Sequence, residues 1–213
     1  MKKRKMKVIY RFVIFVFLLF FKIFYHFKIS GKKNFKHGKA IIAVNHVSFL
    51  DPPAIAAACD EEVHFLAKES LFKHAIFAFF LRLLNSHPLS SKPSDITTFR
   101  EVEKILKENK KIVLFPEGTR SYSGKINKIM PGIGFIAYRS KCRIIPAYID
   151  GVYDVWPRNK KFPKLKGKIK CVFGEPIEVE KFAHKSRKEA VDWISNAIKE
   201  SLEKLERENK NNK

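Results

Sequence analysis

His46 and Asp51 are separated by four residues in the stretch Asn45-His46-Val47-Ser48-Phe49-Leu50-Asp51. An apolar run precedes them and a helix-forming segment follows. One tight turn at that spacing brings the carboxylate onto the imidazole. A carboxylate on one ring nitrogen fixes the tautomer and raises the basicity of the other, which can then take a proton from a substrate hydroxyl. Residue type alone leaves two other readings: Asp51 as a helix cap ahead of Pro52, and His46 as a hydrogen-bonded structural histidine. No Ser or Cys lies in a GxSxG elbow, so direct attack by an activated alcohol fits better than an acyl-enzyme.

A second stretch, Phe115-Pro116-Glu117-Gly118-Thr119-Arg120-Ser121, also follows an apolar run. Gly118 lets the backbone approach a ligand closely. Arg120 offers a planar fork suited to phosphate, and Thr119 and Ser121 add hydroxyl donors. Glu117 can orient Arg120 or bind a substrate hydroxyl. The plainer alternative is a surface turn carrying a Glu–Arg pair.

The elements that must position these residues are short. Residues 40–45, 63–67, 111–115, 143–149 and 168–173 are short, mostly apolar stretches, read as strands buried on both faces. Helices are expected over 52–59, 71–84, 95–109, 131–140 and 186–207. The third presents Phe99, Val102, Ile105 and Leu106 on one face, and the last presents Ala190, Ile194, Ile198, Leu202 and Leu205. Residues 71–84 are apolar around most of the circumference, which suits a buried or membrane-facing helix. Strands alternating with helices imply an α/β domain with a mostly parallel or mixed sheet flanked by helices. Sites in such sheets form at strand ends, where both stretches fall.

The 213 residues carry a net charge of +22, which calls for an anionic partner. Residues 1–50 hold 12 Lys and Arg and no Asp or Glu, beside the most apolar part of the chain. That distribution suits a cytoplasmic membrane face better than nucleic acid, for which no basic stripe with interleaved aromatics is present. Residues 8–29 are apolar and Phe-rich, but their uncharged heart, 12–21, is shorter than the roughly twenty residues of a bilayer span. An interfacial or re-entrant anchor fits best, ahead of a spanning helix. A signal peptide fits less well, because Lys22, Tyr25 and His26 occupy the place of small cleavage-site residues. The three cysteines, without a CxxC, point to a reducing compartment, and the scattered histidines give no metal spacing.

Taken together, His46-x-x-x-x-Asp51 and Glu117-Gly118-Thr119-Arg120 resemble the motifs of the glycerolipid acyltransferase family, of the 1-acylglycerol-3-phosphate acyltransferase type. Ala67-Lys68-x-x-Leu71-Phe72 and Ile144-Ile145-Pro146-Ala147 resemble two further motifs of that family. The resemblance spans roughly residues 40–151. It implies that His46 is the general base and Asp51 its partner. It also implies that Glu117, Gly118, Thr119 and Arg120 bind the glycerol phosphate of a lysophospholipid acceptor. The donor is then an acyl thioester of acyl carrier protein or CoA, with no cofactor or metal, and the partners are membrane lipids rather than nucleic acid. The family carries a second phosphate-binding Arg where Ser91 stands here, and the adjacent Lys92 is the candidate replacement. The expected organisation is a membrane anchor at 1–36, an acyltransferase domain at 37–207 and a polar, frayed tail at 208–213, on the cytoplasmic face of the cell membrane.

Overall fold

The computed structural model describes residues 7–35, 37–89, 95–182 and 184–211. An apolar helix, α1 (Val8–Tyr25), leads into a short strand, β1 (Lys28–Ser30). The central strand β2 (Ala40–Val44) is followed by α2 (Asp51–Ala58), β3 (Val63–Lys68), α3 (Ala75–Leu83) and β4 (Ser86–Leu89). Then come α4 (Asp95–Lys107), β5 (Lys111–Leu114), α5 (Pro131–Ser140) and β6 (Ile144–Asp150). The chain ends with the single turn α6 (Val152–Val155), β7 (Lys170–Phe173) and the long helix α7 (Arg187–Asn211).

The seven strands form one sheet in the order β1-β7-β6-β2-β5-β3-β4. Every pairing is parallel except β6 with β7. The fold is therefore the expected mixed α/β sheet flanked by helices. All five β2 residues are fully buried, because alternate side chains enter different cores. Ile42 and Val44 pack in the layer of α1 and α2, and Ile41 and Ala43 in the layer of α4, α5 and α7. In the second layer α4 buries Phe99, Val102, Ile105 and Leu106, and α7 buries the stripe from Ala190 to Leu205.

Four boundaries differ from expectation. Residues 28–30, of which 28 and 29 read as the end of the apolar N-terminal segment, form β1 and pair with β7, so the sheet begins before residue 37. Gly31 closes that strand at φ +71°, and a Cβ there would sit 2.0 Å from the Phe173 carbonyl oxygen. Residues 71–84 are not one helix: a 3-10 turn at Glu69–Lys73 precedes α3, and the unpredicted β4 follows. Pro88 masks β4 in the sequence, yet β4 is the edge strand, where a missing N–H costs no ladder bond. Residues 208–211, expected to fray, continue α7, with Asn209 buried.

Helix α1 is long and apolar enough to cross a membrane. It also packs on the domain, burying Tyr10, Ile14, Phe21 and Tyr25. Its other face leaves Phe12 and Phe15 66% and 60% exposed. Helix α3 likewise buries Ala78 alone and exposes Ile76, Phe77, Phe79 and Phe80.

Candidate active site

Strands β2 and β5 are adjacent and parallel, with Ala43 opposite Leu114. Three residues beyond each partner lie His46 and Glu117, so register alone sets the two motifs side by side. The Glu117 carboxylate fixes them there. Its Oε1 accepts from the His46 backbone N–H at 2.7 Å, and its Oε2 accepts from the Asn127 N–H at 2.8 Å. The Ser121 N–H donates back to the His46 carbonyl at 2.8 Å. On the other side, the Asn45 side chain extends the sheet by donating to the Ile149 carbonyl at 3.0 Å and accepting from the Ile149 N–H at 2.8 Å.

Asp51 does not cap α2. It is the first helical residue, and its fully buried carboxylate turns back onto the preceding turn. Oδ2 accepts from His46 Nδ1 at 2.7 Å, from the Val47 N–H at 2.7 Å and from the Ser48 N–H at 2.8 Å. With Asp51 as acceptor, Nδ1 carries the ring proton and Nε2 keeps a free lone pair. The imidazole stacks on Phe115, with ring centroids 3.9 Å apart and planes 18° apart. Its orientation is therefore held from an edge and from a face, while 18% of the side chain stays accessible.

Glu117 is buried, and desolvation pushes its pKa up, against the pull of its two backbone donors. Both oxygens serve the backbone, so its contacts are those of a brace rather than of a partner for Arg120. Gly118 takes φ +70°, and its N–H donates to the Phe115 carbonyl at 3.0 Å, which makes the turn that projects Thr119 and Arg120. The Arg120 guanidinium carbon lies 3.5 Å from the centroid of the Phe49 ring. Its Nη1 is buried without a hydrogen-bond partner among the described residues. Burial lowers the Arg120 pKa, and the neighbouring Arg158 lowers it further.

Arg158 is a site residue that no motif in the sequence marks. Its Nη1 donates to Thr119 Oγ1 at 3.0 Å and to the Arg120 carbonyl at 2.9 Å. The one available signal was compositional: it is the lone Arg in a loop otherwise rich in Lys. Lys92 and Ser91 lie outside the described residues. Among the described residues no cluster of three or more His, Cys, Asp or Glu could hold a metal ion.

A family model described as Acyltransferase matches residues 26–150. The 1-acyl-sn-glycerol-3-phosphate acyltransferase of Bacillus subtilis is 26% identical over 181 residues, covering 84% of this chain and 87% of that protein. The enzyme of the same name from Streptococcus pneumoniae is 26% identical over 172 residues, covering 80% of this chain and 61% of the relative. Among solved structures, the 1-acyl-sn-glycerophosphate (LPA) acyltransferase PlsC of Thermotoga maritima superposes with a TM-score of 0.71 at 25% identity, covering 92% of this chain and 78% of that one. The matched model takes in the sheet centre, the histidine turn and the whole second loop, and the chain belongs to the acyltransferase family.

Proposed function

We propose that this enzyme moves a fatty acyl group from a thioester of CoA or acyl carrier protein to the free hydroxyl of 1-acyl-sn-glycerol 3-phosphate, giving phosphatidic acid. The observation that carries the reading is the His46–Asp51 pair, braced by Glu117 against a loop that presents the Arg120 guanidinium, whose Nη1 has no hydrogen-bond partner among the described residues. Nε2 of His46 takes the proton of the acceptor hydroxyl as the oxygen bonds to the thioester carbonyl carbon. Asp51 stabilises the imidazolium that forms. The tetrahedral intermediate then collapses, the C–S bond breaks, and the departing sulfur takes the proton from His46. Arg120 holds the phosphate of the acceptor. Thr119 and the turn at Gly118 shape the same side of the site.

The exposed faces of α1 and α3 rest in the cytoplasmic interface of the membrane in this reading. Support comes from the bare phenylalanines of both helices and from the basic, acid-free first fifty residues. Three free, buried cysteines accord with a reducing compartment. The apolar tails of both substrates then need not pass through water.

The test is an acyl-transfer assay of purified protein. Acceptors are 1-acyl-sn-glycerol 3-phosphate, glycerol 3-phosphate, lysophosphatidylcholine and monoacylglycerol, with CoA and carrier-protein donors. The highest kcat/KM belongs to 1-acyl-sn-glycerol 3-phosphate. Preference for another acceptor refutes the assignment.

A further inference from the structure

The loop after α6 is stitched to both halves of the site. Ser48, inside the histidine turn, pairs with Pro157 in an isolated antiparallel bridge, and its hydroxyl donates to the Trp156 carbonyl at 2.7 Å. The Phe49 and Trp156 rings lie 5.3 Å apart. From the other side, Nη1 of Arg158 reaches Thr119 and the Arg120 carbonyl, and its guanidinium lies 4.1 Å from the centroid of the Tyr122 ring. The result is a second guanidinium fixed beside Arg120. Among the described residues neither pairs with a carboxylate, and Nε and Nη2 of Arg158 make no hydrogen bond. Asp51 is the one described carboxylate whose charge acts on Arg120, without bonding to it. Two cations held together, one with a buried N–H that lacks a hydrogen-bond partner among the described residues, leave an anion to complete the arrangement.

We propose that Arg158 is a second phosphate-binding residue, forming with Arg120 a two-guanidinium cradle for the phosphate monoester of the acceptor. The inference rests on the reading above that the acceptor bears a phosphate. A monoester near neutral pH carries about −1.5 to −2 charge and three terminal oxygens, enough to engage both forks. A phosphodiester carries one charge and two such oxygens, so the cradle also selects against diester lysolipids.

The test is steady-state kinetics of wild type, Arg158→Gln and Arg158→Lys with 1-acyl-sn-glycerol 3-phosphate varied. Thermal stabilisation by sn-glycerol 3-phosphate and by acyl-CoA is measured alongside. For Arg158→Gln, the acceptor KM rises roughly 10- to 100-fold, as loss of a charge-assisted pair predicts, while kcat stays within about three-fold. Stabilisation by glycerol 3-phosphate is lost, and stabilisation by acyl-CoA remains. Arg158→Lys, which keeps the charge without the fork, lies between and serves alone if Arg158→Gln does not fold. An unchanged acceptor KM, or a fall in kcat with both stabilisations lost together, makes Arg158 a mere loop clamp and overturns the proposal. Wild type that acts only on phosphate-free acceptors is a separate outcome: it removes the functional reading and the cradle with it.

Discussion

Replacing Glu117 with Ala removes the acceptor for two backbone N–H groups, of His46 at 2.7 Å and of Asn127 at 2.8 Å. Each hydrogen bond to a charged acceptor contributes about 1.5–3 kcal/mol. Relief of a buried charge offsets part of that loss, because desolvation already pushes the Glu117 pKa up. The net cost is about 2–4 kcal/mol, which for a chain of this size lowers Tm by about 5–15 °C. His46 hangs from the released peptide, and a shift of about 1 Å in a catalytic group costs on the order of 10²-fold in rate. Glu117→Gln keeps one acceptor and carries no charge to desolvate, so it loses less on both counts. Thermal melts by circular dichroism and kinetics with the acceptor varied give the readouts. Glu117→Ala lowers Tm and kcat and leaves the acceptor KM within about three-fold. An unchanged Tm with a raised acceptor KM refutes the bracing role and makes Glu117 a substrate contact.

Two further changes probe the same framework. Asp51→Asn keeps an oxygen for Nδ1, Val47 and Ser48 but loses the charge that stabilises the imidazolium, about 4 kcal/mol near 4 Å at an effective dielectric of about 20. The kcat falls about 10³-fold, and Tm drops a few degrees because the new NH2 occupies the buried, unpartnered Oδ1 position; near-normal kcat removes Asp51 from the chemistry. His64 is buried against His87, with 3.0 Å between Nδ1 and Nε2, and burial lowers its pKa to about 4. The unfolded chain takes up that proton first, so the contribution of neutral His64 is complete above about pH 6.5 and is lost as pH falls toward 4. His64→Leu therefore flattens the fall in Tm between pH 7.5 and 4.5 by the equivalent of about 2 kcal/mol, allowing for solvent screening, whereas parallel curves contradict it.

Much of the frame was readable because its central strands are buried on both faces and so appear as apolar runs, at 40–44 and 112–114, the second opened by Lys111, which is buried in an ion pair with Glu61. Helix α7 was readable from its apolar stripe. Strands β1 and β4 were hidden because edge strands are short and tolerate polar residues and proline: Lys28 and Ile29 merge with the apolar N-terminal segment, and His87 and Pro88 break the strand pattern of β4. The residue types of the site were legible, while two roles were not. Whether Asp51 faces its own helix or the preceding turn depends on the path of residues 46–50. The bracing by Glu117 depends on the β2–β5 register, which local pattern does not reveal. Arg158 reaches the site through tertiary contacts between segments far apart in the chain, the Ser48–Pro157 bridge among them.

The general-base role of His46 is the claim on which the rest depends. Purified His46→Ala, assayed with 1-acyl-sn-glycerol 3-phosphate and an acyl thioester beside wild type, tests it directly. The predicted result is a loss of about 10²- to 10⁴-fold in kcat with the melting curve and acceptor KM nearly unchanged. Turnover within a few-fold of wild type in a folded His46→Ala protein rules out His46 as the general base.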